Sequence, residues 1–129
     1  MKINVPISLG ELLDKISILE IKNEKIKDEK KLNNVSKELT SLKKTLELLN
    51  LNSKDLKPLY DKLKEINLKL WNIEDDIRIL EKEGQFEEKF IQLARNVYIT
   101  NDQRFEIKNQ INISFNSDFV EEKSYEEYL

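Results

Sequence analysis

Three arginines stand close together in a chain whose other cations are all lysine: Arg78, Arg95 and Arg104. A guanidinium offers two parallel N–H donors to one carboxylate or phosphate, which an ammonium cannot imitate. Arginine kept at three positions in so lysine-rich a composition points to a demand for that geometry. Tyr98, Asn101 and Lys108 fall in the same stretch. On a helix Asn101, Arg104 and Lys108 share a face, as do Arg95, Tyr98 and Asp102. Arg78, Arg95, Tyr98, Asn101, Arg104 and Lys108 are therefore the candidates for holding an anion such as a phosphorylated sugar or a nucleotide. The competing reading is structural, with Arg95–Glu74 and Arg104–Asp102 ion pairs fixing helix register. The register reading is favoured, because such networks are common where helices pack.

Other chemistry is scarce. The chain has no cysteine and no histidine, which removes thiolate and imidazole nucleophiles, bases and metal ligands. Glu11 and Asp14 are spaced i, i+3, as a helical Mg²⁺ site requires, but a second such pair is missing because Ile77 stands three after Glu74. Glu11 and Asp14 are also suited to a helix N-terminus, so they remain weak metal candidates and no metal is expected. No cofactor is implied, and the residues point away from an enzyme.

The elements that must position these side chains read as helices. A charged share of 36%, with two glycines and two prolines in 129 residues, favours long amphipathic helices in one domain over 1–129. Ser8-Leu9-Gly10-Glu11 reads as a capping box. Leu9, Leu12, Ile16, Leu19 and Ile26 follow helical spacing, and so do Leu32, Val35, Leu39, Leu42, Leu46 and Leu49. The two stripes slip in phase across Lys27–Lys31. Either one long helix re-aims its face there or it breaks near Asn33-Asn34, and the long helix over about 8–50 is favoured. Ser53 can cap a second helix, about 53–83, whose stripe of Leu56, Leu59, Leu63, Ile66, Leu70, Ile73, Ile77 and Leu80 is the most regular in the chain. Gly84 stops it.

A third helix, about 86–114, carries Phe86, Phe90, Leu93 and Val97, then two polar slots at Thr100 and Arg104, then Ile107 and Ile111. An acidic, irregular tail follows over 115–129. The predicted fold is all-α: a long antiparallel hairpin plus a third helix, in a coiled-coil-like three-helix bundle. A hairpin about Gly84 would set Arg95 opposite Glu74 and Arg78 opposite Ile91.

Val5-Pro6-Ile7-Ser8-Leu9-Gly10-Glu11-Leu12-Leu13-Asp14-Lys15-Ile16, Leu70-Trp71-Asn72-Ile73-Glu74-Asp75-Asp76-Ile77-Arg78, Leu93-Ala94-Arg95-Asn96-Val97-Tyr98 with Asn101-Asp102, the stretch from Arg104 to Asn112, and Glu121-Glu122-Lys123-Ser124-Tyr125 together resemble a small bacterial and phage family of unknown function. The resemblance implies an all-helical fold and a loose association with genes for cell-surface sugar assembly. It carries over no catalytic residue.

A continuous first helix would span about 64 Å against about 46 Å for the second. The overhang would leave Leu9, Leu12, Ile16 and Leu19 without intrachain cover, so a homodimer through that face is expected. The N-terminus has no sustained apolar core, no stretch is long enough to span a membrane, and the net charge is −3. A cytoplasmic protein is expected, with neither membrane nor nucleic acid as partner. Two functions follow: a non-enzymatic adaptor or assembly module that binds a partner protein, or a site for an anionic small molecule at the arginine–tyrosine cluster.

Overall fold

The computed structural model describes all residues from 1 to 129. Four helices form where three are predicted: α1 (Leu9–Lys25), α2 (Glu29–Leu48), α3 (Ser53–Glu83) and α4 (Glu88–Ser114). There is no strand.

The expected long first helix is two. Ile26 leaves helical geometry with ψ 137°, and the Asp28 side chain then accepts the Lys31 N–H at 2.9 Å to cap α2. The break therefore lies at the start of the phase slip and upstream of Asn33-Asn34, which both sit inside α2. Its cause is the slip itself. Two apolar stripes out of phase on one straight rod cannot face one core, whereas two separate helices can each turn their own stripe inward.

They do so. Leu9, Leu12, Leu13, Ile16 and Leu19 from α1, Val35 and Leu39 from α2, Leu63 from α3 and Ile111 from α4 form one buried cluster. The face that the sequence leaves for a second copy is thus covered by the chain itself: Ile16 is 2% exposed and Leu12 and Leu19 5%. α1 is the only helix packed on all three others, and α3 and α4 pair with each other around Gly84.

The ends of the helices have local causes. Ser8 accepts the Glu11 N–H at 3.0 Å and starts α1. Asn52 caps α3 in place of the expected Ser53, accepting from Lys54 N at 2.9 Å. Gly84 takes φ 68°, a left-handed conformation that glycine adopts without a Cβ clash. α4 starts two residues later than the spacing predicts, at Glu88. After Ser114 the chain has no regular structure, yet it stays tied to the bundle: Ser117 N donates to Asn112 O at 2.8 Å, and Ser117 Oγ accepts from Leu9 N at 3.1 Å. No helix is long and apolar enough to cross a membrane.

Candidate functional site

Of the two polar slots of α4, Arg104 meets a polar residue of α1 inside the bundle, while Thr100 is fully buried with its hydroxyl unpartnered. Asp14, on the buried face of α1, is 1% exposed. Its carboxylate accepts Arg104 Nε at Oδ1 (2.9 Å) and an Arg104 terminal N–H at Oδ2, so one guanidinium spans both oxygens. Asn67 Nδ2 donates to Asp14 Oδ1 at 2.9 Å and to Ser17 Oγ at 2.7 Å. The carboxylate beside Arg104 raises the guanidinium pKa further above its ordinary value, against the opposing effect of burial. A buried charge is tolerated only when paired and hydrogen-bonded, and both conditions hold here.

One turn further along α4, Lys108 lies with its side chain 7% exposed between two carboxylates. Its Nζ donates to Glu11 Oε2 at 2.9 Å. Glu121 Oε1, from the tail, stands 2.7 Å from the same ammonium as an ion-pair contact outside hydrogen-bond geometry. Burial alone would lower the Lys108 pKa, but Glu121 and Glu11 outweigh it and the net shift is upward. Glu11 therefore does not close the capping box back onto Ser8; its carboxylate is spent on α4.

Next to this lock the tail is fastened by Asp102, which accepts from Lys123 Nζ and from the Tyr128 hydroxyl, each at 2.6 Å. Tyr128 also meets Tyr98 edge-to-face at 5.2 Å between centroids. Lys123, then Tyr128, hold the Asp102 carboxyl below its ordinary range, while Asp102 pushes the Tyr128 phenol up to about 12. A depressed carboxyl contributes docking free energy that is present above its unfolded pKa and lost as pH falls through the folded one. A raised phenol contributes below its unfolded value of 10.0, and the contribution is lost as pH rises through about 12. The tail is thus expected to dock across neutral pH and to loosen at both extremes. An NMR titration of the Tyr128 ring checks this, and a midpoint at the ordinary phenol value would show that the contact to Asp102 does not form.

Not all the predicted site residues come together. Tyr98, Asn101, Arg104 and Lys108 line one groove of about 610 Å³ between α4 and the tail. Asn101 and Arg104 also line a second, of about 520 Å³, shared with Trp71 and Arg78 between α1, α3 and α4. Arg78 is exposed and pairs with Glu74 on its own helix at 3.2 Å, so Glu74 does not meet Arg95. Arg95 is exposed and forms no ion pair. Arg104 turns away from its neighbour Asp102 to reach Asp14. Glu11 and Asp14 are engaged by Lys108 and Arg104.

Residues that the spacing does not single out complete the cluster. Asn67 and Ser17 sit beside apolar stripe positions, and a polar residue in such a place is the only sequence signal they carry. Gly10 N donates to Asn112 Oδ1 at 2.7 Å, joining α1 to α4 at the base of the cluster. Away from this region, the Tyr60 hydroxyl is buried without a hydrogen-bond partner, and burial, then the nearby Glu20 carboxylate, raise its pKa.

Fold and site together define a small all-helical module whose interhelical charges are internally paired and tied to an irregular tail. The chain belongs to the family of unknown function DUF6165, whose pattern matches residues 1–129. No curated protein and no solved structure matches it.

Proposed function

We propose that this chain is a non-enzymatic helical module that binds a partner protein. One observation carries the reading: the cations that line the α4 groove are already paired inside the chain, whereas the arginine beside them is not. Arg104 is matched by Asp14, Lys108 by Glu11 and Glu121, and Lys123 by Asp102. Arg95 has no carboxylate, and it lies three residues before the exposed Tyr98 on the same outer face of α4, with the exposed Ile91 one turn back. Arginine and tyrosine on an open face are the residue types that dominate protein interfaces. A setting in cell-surface sugar assembly rests on the family resemblance alone.

The test is capture of a stoichiometric partner by tagged full-length chain from its own cells, compared between wild type and Arg95→Glu. The substitution is expected to leave the melting temperature unchanged, because exposed positions without an ion pair or buried partner typically shift stability within about 0.5 kcal/mol. Partner retention is expected to fall by about 30-fold, the equivalent of an interface residue worth about 2 kcal/mol. Equal retention by Arg95→Glu, or no stoichiometric partner at all, counts against the reading.

The second reading, an anionic small-molecule site, is favoured by the convergence of Tyr98, Asn101, Arg104 and Lys108 on one groove. Nucleotides and sugar phosphates at about 100 times Kd would then stabilise the protein by about 2.7 kcal/mol. A rise in Tm with any of them supports this reading, and a flat response across the panel removes it.

A further inference from the structure

The tail is attached in a way that lets it leave. From Asp118 to Leu129 no backbone group is hydrogen-bonded to the backbone of the bundle. Side chains alone hold it: Glu121 on Lys108, Lys123 on Asp102 and over the Phe105 ring, Tyr128 on Asp102, and the Tyr128 ring against Tyr98. Before these anchors, Asp118, Phe119 and Val120 are all exposed, and two of the three are apolar. The groove behind the strap is lined by strap and helix residues together.

The anchors also define what fits. The first contact puts an acid of the strap on a base of α4, and the second puts a base of the strap on an acid of α4. A fitting segment therefore carries a carboxylate, an ammonium two residues later and a phenol five residues after that. Residues 121–128 of this chain are such a segment.

We propose that a second copy of this chain can supply it: two copies exchange residues 121–128 across α4, with Asp118–Val120 as the hinge. Each Asp102 then holds Lys123 and Tyr128 of the partner subunit, and each Lys108 meets the partner's Glu121. The contacts at the groove are those already made within one chain, so the exchange needs no new complementarity there. What the dimer adds is further cover for Phe119 and Val120, which one chain leaves about half exposed at the hinge. A chain's own tail competes at an effective concentration in the millimolar range, so the exchanged form is favoured at high protein concentration. Because the α1 face is covered by α2, α3 and α4, a self-association of this kind uses α4 and the tail instead.

Charge reversal tests the exchange. Asp102→Lys sets a cation against Lys123, and Lys123→Glu sets an anion against Asp102, so each chain loses the central anchor of its own tail. In a mixture of the two, the unaltered tail of the first variant meets the unaltered Asp102 of the second. The acid introduced into the tail of the second then meets the base introduced into α4 of the first. Light scattering at low salt and millimolar protein should show 15.4 kDa for each variant alone and twice that mass for the mixture. The double variant Asp102→Lys/Lys123→Glu should close within one chain and melt near the wild type, short of it only by the Tyr128 hydrogen bond to Asp102, which shows that neither substitution harms the fold. A mixture that stays at the monomer mass overturns the proposal. So does either single variant forming as much dimer as the mixture, because the tail contact would then play no part.

Discussion

Replacing Arg104 with alanine is expected to lower stability by about 3–5 kcal/mol, the range for removing one partner of a buried ion pair. The size follows from what is left behind. Asp14 is 1% exposed, and without Arg104 its carboxylate keeps a single side-chain donor, Asn67 Nδ2. A carboxylate that is neither solvated nor paired is among the most unfavourable groups a core can hold. Asp14→Asn should cost less, about 2–3 kcal/mol, although it alters the same pair. There the stranded charge is the guanidinium, whose side chain is 29% exposed and can draw in water. Arg104→Lys should fall between the two. It keeps the charge, but one ammonium cannot span both carboxylate oxygens. Replacing both residues with apolar ones of similar volume should recover part of the loss, since no charge is then left buried. Urea melts at neutral pH read all four variants. If Arg104→Ala loses less than about 1 kcal/mol, the guanidinium behaves like an exposed surface pair and is not a register lock. A total stability of about 5–15 kcal/mol makes the larger values close to an unfolding threshold.

That lock shows how far the sequence can be read. The α3 stripe and the Gly84 stop place a helix over the range that α3 occupies, because regular apolar spacing and a left-handed terminator are both local signals. The phase slip at Lys27–Lys31 is equally visible, but by itself it fits a re-aimed helix as well as a broken one. Asp28 followed by Glu29 is the cue that decides between them, since an aspartate before an acidic first turn is an N-cap signal. Without it, a continuous helix creates the overhang and with it the dimer face at Leu9, Leu12, Ile16 and Leu19. Splitting the helix at Asp28 lets α2 fold back and cover those residues.

The pairings within the site are out of reach for a different reason. Arg104 and Asp14 are 90 residues apart in sequence, and which of 25 acids a given arginine meets depends on how helices cross, not on periodicity. Matching levels along a two-helix hairpin relates α3 to α4 only. Asp14 and Glu11, which Arg104 and Lys108 meet, come from α1, which packs on both. Spacing does show that α4 opens its apolar seam at Thr100 and Arg104. It cannot show that Asp14, Ser17 and Asn67 close it.

Gly10→Ala is expected to destabilise the protein by about 2 kcal/mol, a typical overpacking cost and the opposite sign to helix propensity alone. In the interior of an exposed helix, alanine is favoured over glycine by about 1 kcal/mol. Gly10 is not in such a place. A Cβ built there would lie 2.6 Å from Lys108 O and 3.0 Å from Asn112 Oδ1. The side chain of Asn112 could swing aside, but the Lys108 carbonyl is helix backbone and can move only with α4. Overpacking of this kind costs about 1–3 kcal/mol or more. Here α1 and α4 must also part where the Gly10 N–H bonds Asn112 Oδ1 at 2.7 Å. A wider gap at Gly10 further strains the neighbouring Lys108–Glu11 pair. Combining Gly10→Ala with Asn112→Ala decides which neighbour matters. If the Lys108 carbonyl sets the limit, trimming Asn112 returns none of the lost stability and adds the loss of its own hydrogen bond. Gly84→Ala is the control, because nothing lies within 4 Å of a Cβ there and only its φ of 68° is unfavourable. A thermal melt in which Gly10→Ala is as stable as wild type or more so would mean that α1 and α4 do not approach this closely. Residue 10 would then be an ordinary first-turn glycine.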